Sequence, residues 1–539
     1  MKKLFFFSVM LLTVLLLMLV LVSCGEQTPA TTEESTTQTV ETTPATTEKN
    51  SANGLPIYVD DKLFVIEDGK TNYSVVFQQG SNLKSTTGEM FNDALAKLRK
   101  AFKNYGYQKV SITNDAIPLG EEDTFVAPEF EILIGNTNRE ESNVLTDELA
   151  FNQAVIRVVG KKIVITGKND VFTAKAVLEF IEKYMPENGK AVLVPADLNE
   201  VLSLDLVDCS ATDMTYAAMA KDVWDSFNEA YWNGYYVEGD FWHQAEMIET
   251  YIDVYEATKS EADKERMLTF ADNFLKTRGG SWLGNEYNDD IMWICIAFSR
   301  ISHLTGDAKY IKFAKQNFDQ VWRRAWDEKL GGGLYWRTDN KTKNACVNGP
   351  AAIAACLIGD YYNDNNYYDK AKQIMKWEIE VLFDANTGRV YDAIKVTGGK
   401  DAYASTYNQG TFIGACTLLY QHTKDKQYLT YAGKAANFAM GSLTDNGVII
   451  AEDSGNDLPG FKGILTRWLY RYAKEVEDLN VLFFLQKNAA IAYQNRNKDG
   501  LIWTNWAAKT SDDPDVVSKY LIFGMSTSVS LMYNCQQWW

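Results

Sequence analysis

Histidine, cysteine and excess positive charge are what this 539-residue sequence has least of: 3 His, 7 Cys, and 53 Lys plus Arg against 71 Asp plus Glu, a formal net charge of −18. The acidic balance excludes nucleic acid, which needs a basic footprint, and disfavours a strongly anionic polymer. A neutral substrate fits best. Cys24, Cys209, Cys295, Cys346, Cys356, Cys416 and Cys535 are scattered, with no CxxC and no Cys/His spacing. Zinc ligation therefore has no basis, and no metal or cofactor is expected. Cys295, Cys356 and Cys416 sit in apolar helical patterns, where cysteine behaves as a small buried hydrophobe. What the chain does have is aromatic surface, with 14 Trp and 29 Tyr. Such a surplus either packs a large helical core or lines a groove that stacks on the flat faces of sugar rings, and composition alone does not choose.

The first 24 residues, two Lys followed by a long apolar run, read as an export signal. The run is also long enough for an uncleaved anchor. Its ending, Leu21-Val22-Ser23-Cys24, resembles a bacterial lipobox, which implies that Cys24 is lipidated and that the folded part faces outward from the cell membrane on a lipid anchor. Residues 25–54 are almost wholly Thr, Glu, Pro, Ala and Ser and read as a disordered spacer.

Residues 55–205 alternate strand and helix signals. LFVIE and YSVVF are short β-rich runs, MFNDALAKLRKAFKNYG has helical periodicity, and AVIRVVGKKIVITG reads as a hairpin around Gly160-Lys161-Lys162. This predicts a small α/β sandwich, loosely similar to the accessory α/β domain of hexosaminidase-like glycosidases. From 206 to 539 the texture becomes mainly α. MLTFA ending at Ala271, YIKFA at Ala314, YYDKA at Ala371 and YLTYA at Ala432 each place an apolar or aromatic residue four before an alanine, on one helix face. Between them lie more apolar helices such as NDDIMWICIAFSRISHL and GPAAIAACLIGDYY. Helices apolar nearly all round belong inside and amphipathic ones outside. The pattern predicts an (α/α)6 barrel, with an open solenoid as the competitor.

If the apolar helices form the inner ring, the polar loops before them share one face: EYNDD, NACVNGP, YASTYNQG and DLPGFKG. Asp289 and Asp290 stand out. One reading is that Asn288 or Asp289 caps the helix while Asp290 favours its positive end. The other is chemistry, because glycosidic cleavage needs one protonated and one ionised carboxyl, and neighbouring acids split their pKa values. Adjacent residues on a helix do not face each other, so the pair belongs in the first turn, where the backbone can deviate. Trp282 and Tyr287 just upstream are sugar platforms. Trp336, after three glycines, is either a core plug or a platform.

Taken together, NDDIMW, GGGLYW (331–336), NACVNGPAAIAA (344–355), GRVYDAI (388–394), TYNQGTFIGA (406–415) and FKGILTRW (461–468) resemble glycoside hydrolase family 76, endo-α-1,6-mannanases and related transglycosylases. The resemblance implies a retaining mechanism with Asp289 as nucleophile and Asp290 as general acid/base. It also marks Asn348, Tyr407, Asn408 and Gln409 as hydroxyl binders and Asp392 as a third carboxylate that orients a sugar. Lys462 and Arg467 either contact the ligand or balance acidic neighbours. Trp242 and His243 start an early helix and are further candidates, although a single His is more often structural. The expected partner is α-mannan polysaccharide or oligosaccharide, with the protein a monomer. Transglycosylation and mannan binding without cleavage are the alternatives.

Overall fold

The computed structural model describes residues 54–539 apart from 82–83, 110, 118–119, 121–123, 207–213 and 235–238. The export signal, Cys24 and nearly all of the spacer lie outside the described residues. The first part of the chain runs β1 (Tyr58–Val59), β2 (Lys62–Glu67), β3 (Ser74–Phe77), α1 (Thr86–Asn104), β4 (Ile112–Asn114), β5 (Glu131–Ile134), α2 (Glu140–Glu148), β6 (Gln153–Val159), β7 (Lys162–Gly167), α3 (Asp170–Tyr184), β8 (Ala191–Pro195) and β9 (Asn199–Ser203). Six strands form a mixed sheet in the order β4-β3-β5-β7-β6-β9, and β1-β2-β8 form a second. Strands β4, β3, β5 and β7 are parallel. Every residue of β5 and β7 is buried, as expected for parallel strands covered on both faces. The β6–β7 hairpin turns on Gly160-Lys161, with Gly160 at φ 62, and Lys162 already pairs with Val159.

The rest is mainly helical, with short strands such as Thr342–Asn344, Ala393–Lys395 and Lys400–Asp401 in its loops: α4 (Tyr216–Tyr231), α5 (Phe241–Thr258), α6 (Glu261–Arg278), α7 (Asn288–Thr305), α8 (Ala308–Ala325), α9 (Ala345–Tyr362), α10 (Asn365–Val381), α11 (Thr406–Thr423), α12 (Lys426–Ser442), α13 (Phe461–Val476), α14 (Leu479–Gln494) and α15 (Ile522–Tyr533). The odd-numbered helices α5 to α15 pack each on the next, and α15 packs back on α5. This closure gives an α/α barrel-like fold and rules out the open solenoid. The even-numbered helices lie outside.

One turn repeats. The inner helices α5, α7, α9, α11 and α13 each end on a left-handed residue: Lys259, Gly306, Asn363, Lys424 and Glu477. The next residue, Ser260, Asp307, Asp364, Asp425 or Asp478, caps the following outer helix by accepting a backbone N–H. These tight turns gather at one end, so the long outer-to-inner loops gather at the other, where the inner helices begin. The α/β part docks at the tight-turn end: Leu479 and Leu482 join its core, Asn480 Oδ1 accepts from the Thr87 N–H at 3.1 Å, and Trp539 packs on Phe151 at 5.3 Å.

Glu378 on α10 is fully buried, neither carboxyl oxygen has a partner, and burial raises its pKa well above the usual range. The folded state therefore holds a proton that the unfolded chain releases near pH ~4.3, and stability falls as pH rises above that value. Glu378→Met is expected to stabilise the protein by about 1–3 kcal/mol at pH 8, with a smaller gain at pH 4.5. Urea denaturation at the two pH values checks it.

Candidate active site

The loop end of the barrel encloses a cavity of ≈ 1170 Å³. Because the hairpins are equivalent, the second residues of the six inner helices form a ring: Trp242, Asp289, Cys346, Tyr407, Lys462 and Phe523. Four of these line the cavity: Trp242, Asp289, Cys346 and Tyr407. The floor is aromatic. Tyr407 stacks on Phe461 with ring centroids 3.8 Å apart, and Trp293 lies 6.1 Å from Tyr407 and 6.2 Å from Trp242.

The Asp pair does not serve as a cap. Tyr287 occupies the N-cap position of α7 and makes no side-chain cap bond. Asn288 is held elsewhere: its N–H donates to Trp336 O (2.8 Å), its Nδ2 to Tyr335 O (2.8 Å), and its Oδ1 accepts from Arg324 Nε (2.7 Å). Arg324 also donates to the carbonyls of Leu283 and Asn285, clamping the loop. The carboxyls of Asp289 and Asp290, second and third in the helix, are thus left to the cavity that both line. Asp289 Oδ2 accepts from Trp336 Nε1 at 2.9 Å, and Asp290 Oδ2 accepts from Asn285 Nδ2 at 2.7 Å. Asp289 Oδ1 is buried without a partner.

A helix N-terminus favours anions, but burial outweighs it here. Burial, then the charge of Asp290, pushes Asp289 well above the usual carboxylate range, against the Trp336 and Cys346 donors. Burial likewise raises Asp290 to about 6, with the Asn285 bond opposing and the charges of Asp457 and Asp240 adding. Both carboxyls therefore hold a proton more tightly than an exposed aspartate does.

The triple glycine explains how Trp336 arrives. Gly331, Gly332 and Gly333 all have positive φ, and a Cβ on Gly333 would meet the Trp377 ring at 2.5 Å. The chain wraps Trp377 and sends the indole N–H of Trp336 to Asp289. Tyr287 also lines the cavity, with its ring 5.6 Å from that of Trp336. Asp392 also lines the cavity, where its Oδ1 accepts from Asn408 Nδ2 (2.9 Å) and its Oδ2 from Asn344 Nδ2 (3.4 Å), with burial raising its pKa.

Other sequence candidates have structural partners and do not line the cavity. Trp282 is buried against Phe241, Phe274 and Phe298, and its indole donates to Gly279 O. Asn348 spends its amide on the backbone of Leu334 and Asn344, and Gln409 donates to Val390 O. Asn408 acts through Asp392. Lys462 points away beneath Trp506, donating to the carbonyls of Thr504 (2.6 Å) and Ile449 (3.2 Å). Arg467 is buried among Glu246 and Asp253. Asn348, Gln409, Lys462 and Arg467 sit on inner helices where buried backbone or charged partners claim them, whereas Trp282 lies in the loop before α7. His243 stacks on Phe523 and faces Asp457, while its neighbour Trp242 does line the cavity.

Sequence reading missed Asn285, Trp293, Phe461 and Asp457. Trp293 was recoverable, since it lies four residues after Asp289 on the same helix face. Among the described residues no group of three or more His, Cys, Asp or Glu could hold a metal ion. Cys295, Cys346, Cys356, Cys416 and Cys535 are unpaired and buried.

The sequence profile of Glycosyl hydrolase family 76 matches residues 208–533. The α-1,6-mannanase GH76A of Salegentibacter sp. HEL1_6 superposes with a TM-score of 0.55 at 30% identity, covering 59% of this chain and 98% of that one. A variant of that enzyme, inactive with two consecutive aspartates changed to asparagine, is similar to the same degree and was solved with α-1,6-mannotriose. Mannan endo-1,6-alpha-mannosidase DCW1 of Candida albicans is 23% identical over 269 residues, 44% of this chain and 59% of that protein. The chain thus spans only about three-fifths of the length of that curated relative. With the profile covering more than half of its length, the chain belongs to glycosyl hydrolase family 76.

Proposed function

We propose that the protein is a retaining, endo-acting hydrolase of α-1,6-mannosidic bonds, built on an (α/α)6 barrel and held outside the cell by a lipid on Cys24. The α/β part, docked at the end away from the cavity, acts as an accessory packing unit. The observation that carries the activity is the buried Asp289–Asp290 pair lining one aromatic-floored cavity, both carboxyls raised above the usual range. The Salegentibacter variant supports it, because two neighbouring aspartates are what that enzyme lost.

In the first step Asp289 attacks the anomeric carbon, the bond to the leaving sugar breaks, and Asp290 gives its proton to the departing oxygen. In the second, Asp290 takes a proton from water, the water oxygen bonds to the anomeric carbon, and the Asp289 carboxylate leaves. Trp336 Nε1, which can only donate, supports the ionised form of Asp289. Tyr287 and Trp336 provide stacking surface, and Asp392 accepts from a sugar hydroxyl.

Incubation with linear and branched α-1,6-mannans, followed by product sizing, tests the reading. Internal cleavage is expected, giving a ladder of shortening oligosaccharides, with water outcompeting added acceptor sugar. Retention of mannan without product would make the protein a binder, and longer products with excess acceptor would make it a transglycosylase.

A further inference from the structure

An α-1,6-linked mannan uses C1 and C6 of each unit for the backbone, so a branch leaves only from the hydroxyls on C2, C3 or C4. In the reaction proposed above, Asp392 accepts from a hydroxyl on that edge of the ring. The wall beside Asp392 therefore meets whatever branch the unit carries. That wall is a hairpin of strands Ala393–Lys395 and Lys400–Asp401, in which Ala393 pairs with Asp401 and Ile394 with Lys400. Its foot is tied to Asp392, whose N–H donates to Tyr403 O at 3.1 Å. The cavity side has little bulk. Ala393, Gly398, Gly399 and Ala402 all line the cavity, and a Cβ added to either glycine would meet nothing within 4 Å. The positive φ of the two glycines, 88 and 92, accounts for glycine in the turn. It does not account for the open space around them, or for the exposed alanine at 402.

Side chains alternate along a strand, so Lys395 and Asp401 stand on the same face as Ala393, and both line the cavity. Asp401 Oδ1 accepts from the Tyr403 N–H at 3.0 Å, and neither Lys395 nor Asp401 forms an ion pair among the described residues. An exposed cationic donor and an exposed carboxylate acceptor thus flank an open notch. The whole cavity, ≈ 1170 Å³, also exceeds the about 300–1,000 Å³ of pockets that enclose one compact ligand. We propose that this hairpin is a subsite for a mannosyl branch, so that the protein cuts α-1,6-mannan at units that carry one. The branch sugar sits over Ala402 and the Gly398-Gly399 turn, its hydroxyls accepting from Lys395 Nζ and donating to the Asp401 carboxylate.

The inference rests on the proposed hydrolysis, and its test separates the two. The substrates are linear α-1,6-mannan and the same backbone carrying single mannosyl branches. The wild type is expected to cleave both with comparable kcat/KM. Ala402→Trp fills the notch from an exposed position and should lower the branched-to-linear ratio of kcat/KM about 10-fold. Lys395→Ala combined with Asp401→Ala should raise KM on the branched substrate about 5-fold with kcat held, the mark of lost binding. A wild type that stops at branched units, or an Ala402→Trp protein whose two activities fall together, would overturn the subsite. If the wild type cleaves neither mannan, the hydrolysis fails and titration calorimetry decides the subsite. Branched oligosaccharide should then bind the wild type more tightly than Ala402→Trp, whereas equal or absent binding would overturn it.

Discussion

Asp289→Asn and Asp290→Asn are each expected to lower mannan turnover by about 10³-fold or more while making the protein more stable. The loss follows because Asn can neither attack an anomeric carbon nor give up a proton. The gain follows from linkage. Both folded-state pKa values are raised, so the native protein binds protons that the unfolded chain, with Asp near ~3.9, releases. Wild-type stability therefore falls as pH rises from about 4, and for Asp290 the fall is complete once pH passes about 6. Asn does not titrate. The stabilisation by Asp290→Asn should be near zero at pH 4 and about 3 kcal/mol at pH 8. Asp289→Asn should gain across a wider range, because its pKa is raised further. Thermal melts at the two pH values, beside turnover on mannan, check both halves. A variant that lost activity and stability together would show that the pair supports the fold instead.

Arg467→Met is expected to destabilise the protein by about 3–5 kcal/mol. Glu246, Glu249, Asp253 and Glu256 recur at helical spacing along α5 and face the barrel axis. Arg467 donates to both oxygens of Asp253 (3.0 and 2.8 Å) and to Glu246 (2.8 Å). Arg300 from α7 reaches Glu249 (2.6 Å), Asp253 (2.9 Å) and Glu256 (2.8 Å). Arg471, one turn after Arg467, also bonds Glu256. Burial already raises Glu246 to about 7 with Arg467 beside it. Removing that guanidinium leaves Glu246 desolvated without its cation and Asp253 with Arg300 alone as an ion-pair partner. The control is Lys221→Ala, which breaks an exposed pair with Asp225 and should leave the urea midpoint unchanged. An Arg467 variant with wild-type stability would mean that water enters the barrel axis.

The helical periodicity made the ring of hairpins legible, because an inner helix such as α9 is apolar on every side and an outer one such as α8 on one side only. The repeated turn was equally open to reading: a capping Ser or Asp precedes each of five outer helices by one residue, at Ser260, Asp307, Asp364, Asp425 and Asp478. The position of the Asp pair at an inner helix start followed from the same pattern. What spacing did not reveal is depth along an inner helix. Lys462, second in its helix like Asp289, turns under the floor because the carbonyls of Ile449 and Thr504 receive it. Arg467 and Asn348 lie further along their helices, below the cavity, and answer to buried partners. Asp457 escaped notice because its partners Trp242 and His243 lie more than 200 residues earlier, and only closure of the ring between α15 and α5 brings that helix start beside the loop before α13.

The central claim, that adjacent acids at one inner-helix tip divide the roles of nucleophile and proton donor, is tested most directly by trapping the glycosylated protein. A fluorinated mannosyl donor that slows the second step, followed by peptide mapping, should place one mannosyl group on Asp289. An adduct on Asp290, Asp392 or Asp457, or steady hydrolysis with no adduct at all, would contradict it.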